Sequence, residues 1–457
     1  MNDPTMAGGA VEPRPIMTSP ARLALRVLCD DDVARLHAAA LESLGAEGAA
    51  AEAAALSAPS GFVLAGRVPE HDLTVGDGRV WLAAGVATAG PGGVPPRVRP
   101  LSGGDPVQAT AADLDVACRL ADALPEVAVV AGPPVRAAGE TPLGELARCF
   151  AGTSKHVLCG TLTTARQAEA ALAMAAAVAG SEAELRRRPP LSLCAAADAL
   201  DAALVFARAG LPVALVLGPA APASASPAPS DLAAVLVRHH AGVLAGCAAV
   251  QAAAPGAPLL YPADPATAGL PGAGPTAALF QLGAAQLAAH VGLPLVAAGM
   301  RTGGHEPDWQ ACTQDVFASL CTTAAGVDVT GGAGSLGAGA AFSAQQLVMD
   351  AEVFSWNAKI SLGIDVQEES IALDAIKQVG IGGNFLGQRH TRRHMKDVWR
   401  PRLLDRSMWD VWVASGKEGA YEKATRLAEG VLAGHEVAPL ADEVSGTLER
   451  IIAEAGL

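Results

Sequence analysis

Aromatic rings are scarce in this 457-residue chain, at 4% with only two tyrosines, so each buried ring carries information about packing or ligand contact. Charge is scarce too, at 17%, and positive charge is the scarcer kind. The 32 Lys and Arg stand against 46 Asp and Glu, for a net charge of −14. A chain without a broad positive field excludes nucleic acid and an anionic membrane surface as partners. The eight cysteines (Cys29, Cys118, Cys149, Cys159, Cys194, Cys247, Cys312 and Cys321) include no Cys-x-x-Cys pair. They read as small buried hydrophobes rather than a disulfide frame or a zinc-thiolate site, and no metal is expected. Apolar stretches break at Gly, Pro, Gln or charge before the roughly 18 residues of a membrane span. Residues 1–20 lack the basic start and apolar core of a secretory signal and read as a flexible leader, so a cytoplasmic location is expected. Also missing are a phosphate-binding Gly-x-x-x-x-Gly-Lys-Ser/Thr, a His-Glu-x-x-His, a Gly-x-Ser-x-Gly and a Gly-x-Gly-x-x-Gly after the first strand.

What is present is a 51% apolar, alanine-rich text, enough for a large core. Asp30-Asp31-Asp32 open a helix whose Val33, Leu36, Ala40 and Leu44 share a face and which Gly45 ends. Short apolar runs then recur at 127–131, 156–159, 191–194, 213–217, 259–261, 295–298 and 327–330, with Val80–Ala83 as a possible eighth. Helical, mostly Ala-rich stretches separate nearly all of them. Fully apolar short strands alternating with helices predict an α/β fold with a parallel sheet covered on both faces. Eight strands favour a (β/α)8 TIM barrel over an open sheet. The predicted organisation is an N-terminal helical and mixed extension over 21–110, a barrel core over 111–365 and a C-terminal helical tail over 366–457. The Ala/Pro/Ser text of 220–230 follows the 213–217 strand and is a candidate lid.

In such a barrel the loops after the strands form the active face. Gly331, Gly332, Ala333 and Gly334 follow the last strand and would let a bulky ligand approach bare backbone. Asp328, an acid in an apolar strand, needs a cation or hydrogen-bond donors. His305 follows the 295–298 strand, whereas the doublet His239-His240 has no ligand spacing. Residues 389–406 hold seven Lys and Arg against two Asp, a local +5 that leaves −19 on the remainder. That run is a docking face for an acidic partner, a brace for the chain's own acidic surface, or a solvated helix. Trp399, Trp409 and Trp412 nearby predict that the tail packs firmly on the body.

Several of these stretches together carry a resemblance. Ile376-Lys-Gln-Val-Gly-Ile-Gly-Gly-Asn-Phe-Leu-Gly-Gln-Arg-His390-Thr, running on to Trp399-Arg-Pro-Arg-Leu-Leu-Asp-Arg406, resembles the C-terminal signature of the trimethylamine–corrinoid methyltransferase family. Asp350-Ala-Glu352, Pro307-Asp-x-Gln-Ala311, Pro255-Gly-Ala-Pro258 and Leu36-His37 agree with it. The resemblance implies a TIM barrel that moves a methyl group from a methylated amine to the Co(I) of a corrinoid. That cobalamin-type cofactor is not held permanently but is supplied by a cognate corrinoid-binding partner protein. Archaeal members place pyrrolysine in the glycine-rich stretch after the last strand. Here Ala333 or a neighbour stands there, so the chain resembles the non-pyrrolysine branch, whose members include glycine betaine demethylases.

A quaternary nitrogen leaves as a neutral tertiary amine, so the protein need only hold the cation and align the methyl group. Aromatic faces with a carboxylate are the expected cage, which makes Tyr261, Phe342 and Phe385 candidates, with Asp264 or Asp328 as countercharge. Arg301, His305 or His390 would receive a substrate carboxylate. The chain departs from the family at His240-Ala-Gly242, where Asn-Ala-Glu is common, and at Thr313-Gln314, where Tyr-Glu is expected. Those losses leave open a catalytically inactive member that binds a small cation or a partner, or another barrel enzyme such as an isomerase or lyase. Alanine- and glycine-rich helix surfaces suit close subunit packing, and a homo-oligomer is expected.

Overall fold

In a computed structural model, which describes the backbone of Ser19–Pro20 and residues 24–86, 94–218 and 231–456, the apolar runs close on one another. The parallel strands are β1 (Arg79–Ala84), β2 (Val127–Gly132), β3 (His156–Cys159), β4 (Leu191–Ala196), β5 (Val213–Val216), β6 (Leu259–Ala263), β7 (Leu295–Ala297) and β8 (Val329–Ala333). Each pairs with the next, and β8 returns to β1 through Val329 opposite Trp81, so the sheet is a closed barrel. The leader beyond Ser19–Pro20 and the candidate lid 220–230 lie outside the described residues. The first strand falls inside the 21–110 stretch, so the barrel opens at Arg79 and not at residue 111.

A helix follows every strand: α3 (Ala111–Ala123), α4 (Pro142–Gly152), α5 (Ala165–Ala179), α6 (Leu200–Arg208), α7 (Leu232–Ala253), α8 (Pro275–His290), α9 (Trp309–Ala324) and α10 (Ala344–Ser361), preceded in the chain by α1 (Asp30–Ser43) and α2 (Gly48–Ser57). Polar residues at the starts fix where helices begin. Thr164 and Gln167 cap each other's backbone at α5, Asp231 accepts from Ala233 N (2.9 Å) at α7, and Ser343 accepts from Gln346 N (3.2 Å) at α10. α7 is long and apolar enough to cross a membrane by length and composition, but Val235, Leu244 and Val250 are buried in the barrel wall. Glycine sets how closely it sits. A Cβ at Gly242 would lie 2.3 Å from Leu217 O, and one at Gly246 2.7 Å from Leu215 O. A side chain at 242, where the family resemblance leads one to expect Glu, is therefore excluded by backbone contact.

Strand alternation divides the core in two. Val80, Leu82, Leu193, Leu215 and Tyr261 face the helices, while Trp81, Ala83, Leu158, Cys194, Ala214, Leu260, Val296 and Val329 fill the lumen. A hairpin of Phe62–Leu64 and Leu73–Val75 plugs the end where the strands begin. Leu64, Leu73 and Val75 join the lumen cluster, and Trp81 Nε1 donates to Thr74 O (2.9 Å). With that end sealed, ligand access is left to the opposite rim, where the strands end.

Two further helices, α11 (Ala420–Gly434) and α12 (Asp442–Ala455), return to the barrel and bury Ala424, Ala428 and Leu448. His435 Nε2 meets Asp122 Oδ2 at 2.8 Å and ties them to α3. The segment between α10 and α11 behaves differently from the expectation of firm packing. Trp399 does stack on Trp356, with centroids 5.7 Å apart, and Arg402 pairs with Glu126 and Glu352. Trp409 and Trp412, however, lie against each other at a tilt of 45°, and Trp409 is 70% exposed.

Candidate active site

The glycine-rich stretch reaches the rim because β8 runs three residues further than its apolar text, through Gly331 and Gly332 to Ala333. Gly331 O accepts from Met300 N (2.8 Å), Gly332 N donates to Gly85 O (2.7 Å), and Ala333 O accepts from Gly85 N (2.9 Å). Val329 faces the lumen, and the ladder to β1 shifts register between Thr330 and Ala333, so Gly331 and Gly332 form a side-chain-free irregularity at the end of β8. Two neighbours are glycine for packing reasons. Gly332 has φ +99° and a Cβ would sit 2.4 Å from Met300 O; Gly334 has φ +85° and a Cβ would sit 2.5 Å from the Phe342 ring.

Asp264 follows β6 and Arg301 follows β7, and adjacency of the two strands brings the side chains together. Arg301 Nη1 lies 3.2 Å from both Asp264 oxygens, and its Nε donates to Ala338 O (2.8 Å). Both side chains are buried. The negative charge of Asp264 also reaches Cys194, whose thiol is pushed up to about 12, mainly by burial. Gln314 braces the neighbouring loop: its Oε1 accepts from Thr302 Oγ1 and from Gly303 N, each at 2.8 Å. Although it replaces an expected acid, it keeps an acceptor oxygen in place. The cavity touching Arg301 and Gln314 is about 10 Å³, room for about one water.

Behind the glycine stretch lies a pair of buried acids. Asp350 Oδ2 accepts from Gly334 N (2.8 Å), and Gln346 Nε2 donates to Asp350 Oδ1 (2.8 Å) and Asp315 Oδ2 (3.1 Å). Burial drives both carboxyls upward, Asp350 to about 7 and Asp315 in the same direction with help from the Asp350 charge. Two carboxyls so close in a dry site are stable when they share a proton. Asp350 belongs to the quoted Asp350-Ala-Glu352 run; nothing in the sequence singled out Asp315 or Cys194.

Several expected site residues lie elsewhere. Asp328 precedes β8 at the sealed end, where it accepts from Gly76 N of the hairpin and from Leu295 N (2.8 Å). Burial pushes its carboxyl up to about 6 against those two bonds. Tyr261 points outward, with its hydroxyl 3.2 Å from His240 Nδ1. Phe342 is buried outside the barrel beneath Gly334, and Phe385 and His390 lie half-buried in the 362–416 segment, where His390 stacks against His394. The expected aromatic cage is therefore not assembled by Tyr261, Phe342 and Phe385. His305 sits exposed on the rim beside Gly337. His239 and His240 are structural: burial lowers them to about 4 and about 3, and His239 Nε2 meets Pro262 O at 2.7 Å. Among the described residues no cluster of three or more His, Cys, Asp or Glu is arranged to hold a metal.

Comparison with known proteins supplies the chemistry. The chain is 32% identical over 425 residues to trimethylamine methyltransferase MttB of Desulfitobacterium hafniense, covering 88% of this chain and 82% of that protein. It is 35% identical over 289 residues to MttB of Methanosarcina barkeri, covering 60% and 58% of the two chains. It is 32% identical over 267 residues to a glycine betaine methyltransferase of Desulfitobacterium hafniense, covering 56% and 54%. The solved Methanosarcina barkeri monomethylamine methyltransferase aligns over 92% of this chain and 91% of its own, at 11% identity and a TM-score of 0.46. The family model described as "Trimethylamine methyltransferase (MTTB)" matches residues 35–455, and with that span and the 32% relative the chain belongs to the trimethylamine methyltransferase family.

Proposed function

We propose that the chain takes a methyl group from a quaternary methylated amine, with a betaine as the leading substrate class, and passes it to the Co(I) of a corrinoid. The corrinoid is a co-substrate brought by a separate cytoplasmic protein. It supplies the electron pair that forms the new cobalt–carbon bond, while the C–N pair leaves with a neutral tertiary amine. Membership of the family over nearly the whole chain, with Ala333 rather than an unusual residue in the glycine stretch, is the observation that carries this reading.

The chain's own work is positional. Gly331, with Gly332, Ala333 and Gly334 behind it, leaves the upper lumen free of side chains on the β8 side, where a planar macrocycle needs clearance. Asp264 holds negative charge at the rim for a cation that offers no N–H to bond. Arg301, fixed by Asp264 and Ala338, and His305 on the rim are the groups for a substrate carboxylate. The 10 Å³ cavity is too small for a betaine, so admission requires the loops after β6 and β7 to part.

The test is spectroscopic: conversion of Co(I) to methyl-Co(III) on an added corrinoid protein, with glycine betaine, proline betaine, carnitine and trimethylamine as donors. Methylation from a betaine is expected. Silence with every donor would favour the second reading, a non-catalytic barrel that binds a small cation, which the missing acid at Gly242 supports. Turnover without corrinoid would point to another barrel chemistry.

A further inference from the structure

Between α10 and α11 the chain runs through residues 362–416 with Leu403 as its single buried residue. Its four short helices, Glu368–Ile371, Leu373–Val379, Arg389–His394 and Trp409–Ala414, bury nothing. Yet the segment is rich in large apolar side chains. Ile364, Val366, Ile381, Leu386, Met408 and Trp409 are each at least 70% exposed. The contacts that fix it to the body, Trp399 on Trp356 and Arg402 on Glu352, come late; the bonds seen in 366–394 stay local, as between Arg393 and Glu369. A lone chain has no reason to display so much apolar surface. Since one exposed indole alone offers roughly 150–250 Å², the patch reaches the ~800 Å² per partner of a stable interface.

The same chain holds what would cover it. The outward stripe of α9 presents Trp309 at 81% and Phe317 at 58% exposure, with Thr313 between them, and Trp356 and Ile360 are exposed on neighbouring α10. The arm as a whole is nearly neutral, with eight Lys and Arg against seven Asp and Glu in 362–416, so the match of apolar surfaces and not net charge selects the partner. An arm that lies on its partner's α9 while receiving the partner's arm makes a two-fold, self-complementary contact.

We propose that residues 362–416 form an exchanged arm, which seats its apolar side chains on the α9–α10 face of a second copy of this chain. The arm leaves from the end of α10 nearest the sealed floor of the barrel and would reach the rim end of α9 at Trp309. The proposal stands whether or not the chain transfers methyl groups.

Sedimentation velocity of the full chain at micromolar concentration tests it. The wild type is expected to sediment as a dimer or a multiple of one, and a monomer would overturn the proposal. Ile381→Glu/Leu386→Glu on the arm and Trp309→Glu/Phe317→Glu on α9 should each raise the dimer dissociation constant at least 100-fold. Circular dichroism should show the fold intact, because all four positions are exposed in the single chain. Oligomers that survive both pairs of substitutions would place the interface elsewhere and overturn the assignment. So would a wild-type monomer whose arm becomes protected from protease only when corrinoid protein is added. Protection that appears with self-association and is lost in either double variant supports it.

Discussion

Arg301 and Asp264 neutralise each other at the rim, with Nη1 3.2 Å from both carboxylate oxygens and neither side chain open to solvent. Each was a candidate for a different end of the substrate, one for its carboxylate and one for its cation. Under the proposed function the pair would act as one device, offered to a zwitterionic substrate. Removing one partner strands the other, at a cost of about 3–5 kcal/mol for a buried pair. Asp264→Asn and Arg301→Gln should therefore each lower the melting temperature by several degrees and abolish methyl transfer. The double variant should recover much of the stability but none of the activity, as thermal melts and the cobalt assay would show. Full activity in either single variant would remove the pair from the site.

Asp328 predicts the opposite split. Its two oxygens join the plug hairpin at Gly76 to the start of β7 at Leu295. Asparagine keeps one acceptor and turns an N–H toward the other donor, leaving a buried group unsatisfied at about 1–3 kcal/mol. Asp328→Asn should lower the denaturation midpoint while kcat and KM stay within twofold of wild type. A fall in kcat of a hundredfold with unchanged stability would return Asp328 to the chemistry.

These two acids show where the sequence is legible and where it stops. All eight strands appear as apolar runs, because a sheet buried on both faces tolerates little else. That same uniformity hides direction. Leu259, Leu260 and Tyr261 are equally apolar, and only the register shows that Leu260 faces the lumen and Tyr261 the helices. Glycines conceal the last strand's end: the ladder continues through Gly331 and Gly332, which moves β8 toward the rim and leaves Asp328 at its foot. The Arg301–Asp264 pair depends on the adjacency of β6 and β7, which no local pattern encodes. In the 362–416 segment three tryptophans read as firm packing, yet Trp399 stacks on the body while Trp409 stays exposed, since composition does not say which apolar side chains find a partner.

The pair Asp315 and Asp350 makes stability depend on pH in an unusual direction. Asp350 is raised to about 7 from an ordinary 3.8, and Asp315 is raised with it. From pH ~4 upward the folded chain binds more protons than the unfolded one, so stability falls as pH rises through about 7, where Asp350 titrates. Glu145, raised to about 7 by burial, and Asp328 act in the same direction. Asp315→Asn removes one carboxyl and lets an amide donate to Asp350, so its melting temperature should decline less between pH 5 and 8 than the wild type's. Parallel profiles for the two proteins would show that the carboxyls do not share a proton.

Tyr261 separates packing from catalysis on the other wall of β6. Its hydroxyl is 3.2 Å from His240 Nδ1, His240 Nε2 is 2.9 Å from His37 Nδ1, and His37 Nε2 is 3.0 Å from Glu52. One set of tautomers satisfies the whole row: Tyr261 donates to His240, His240 to His37, and His37 to Glu52. Strand, barrel helix and N-terminal extension are thereby joined through a row of hydrogen-bonded side chains, with burial holding His240 down at about 3. Tyr261→Phe deletes the terminal donor and leaves a buried imidazole nitrogen unpaired, which costs about 1–3 kcal/mol. Chemical denaturation should register that loss, and hydrogen exchange should quicken in α1 (Asp30–Ser43), the extension helix held by His37. Because the ring faces away from the lumen, KM for the methyl donor should not move. A tenfold rise in KM would mean that Tyr261 reaches the substrate after all, by a route through the barrel wall.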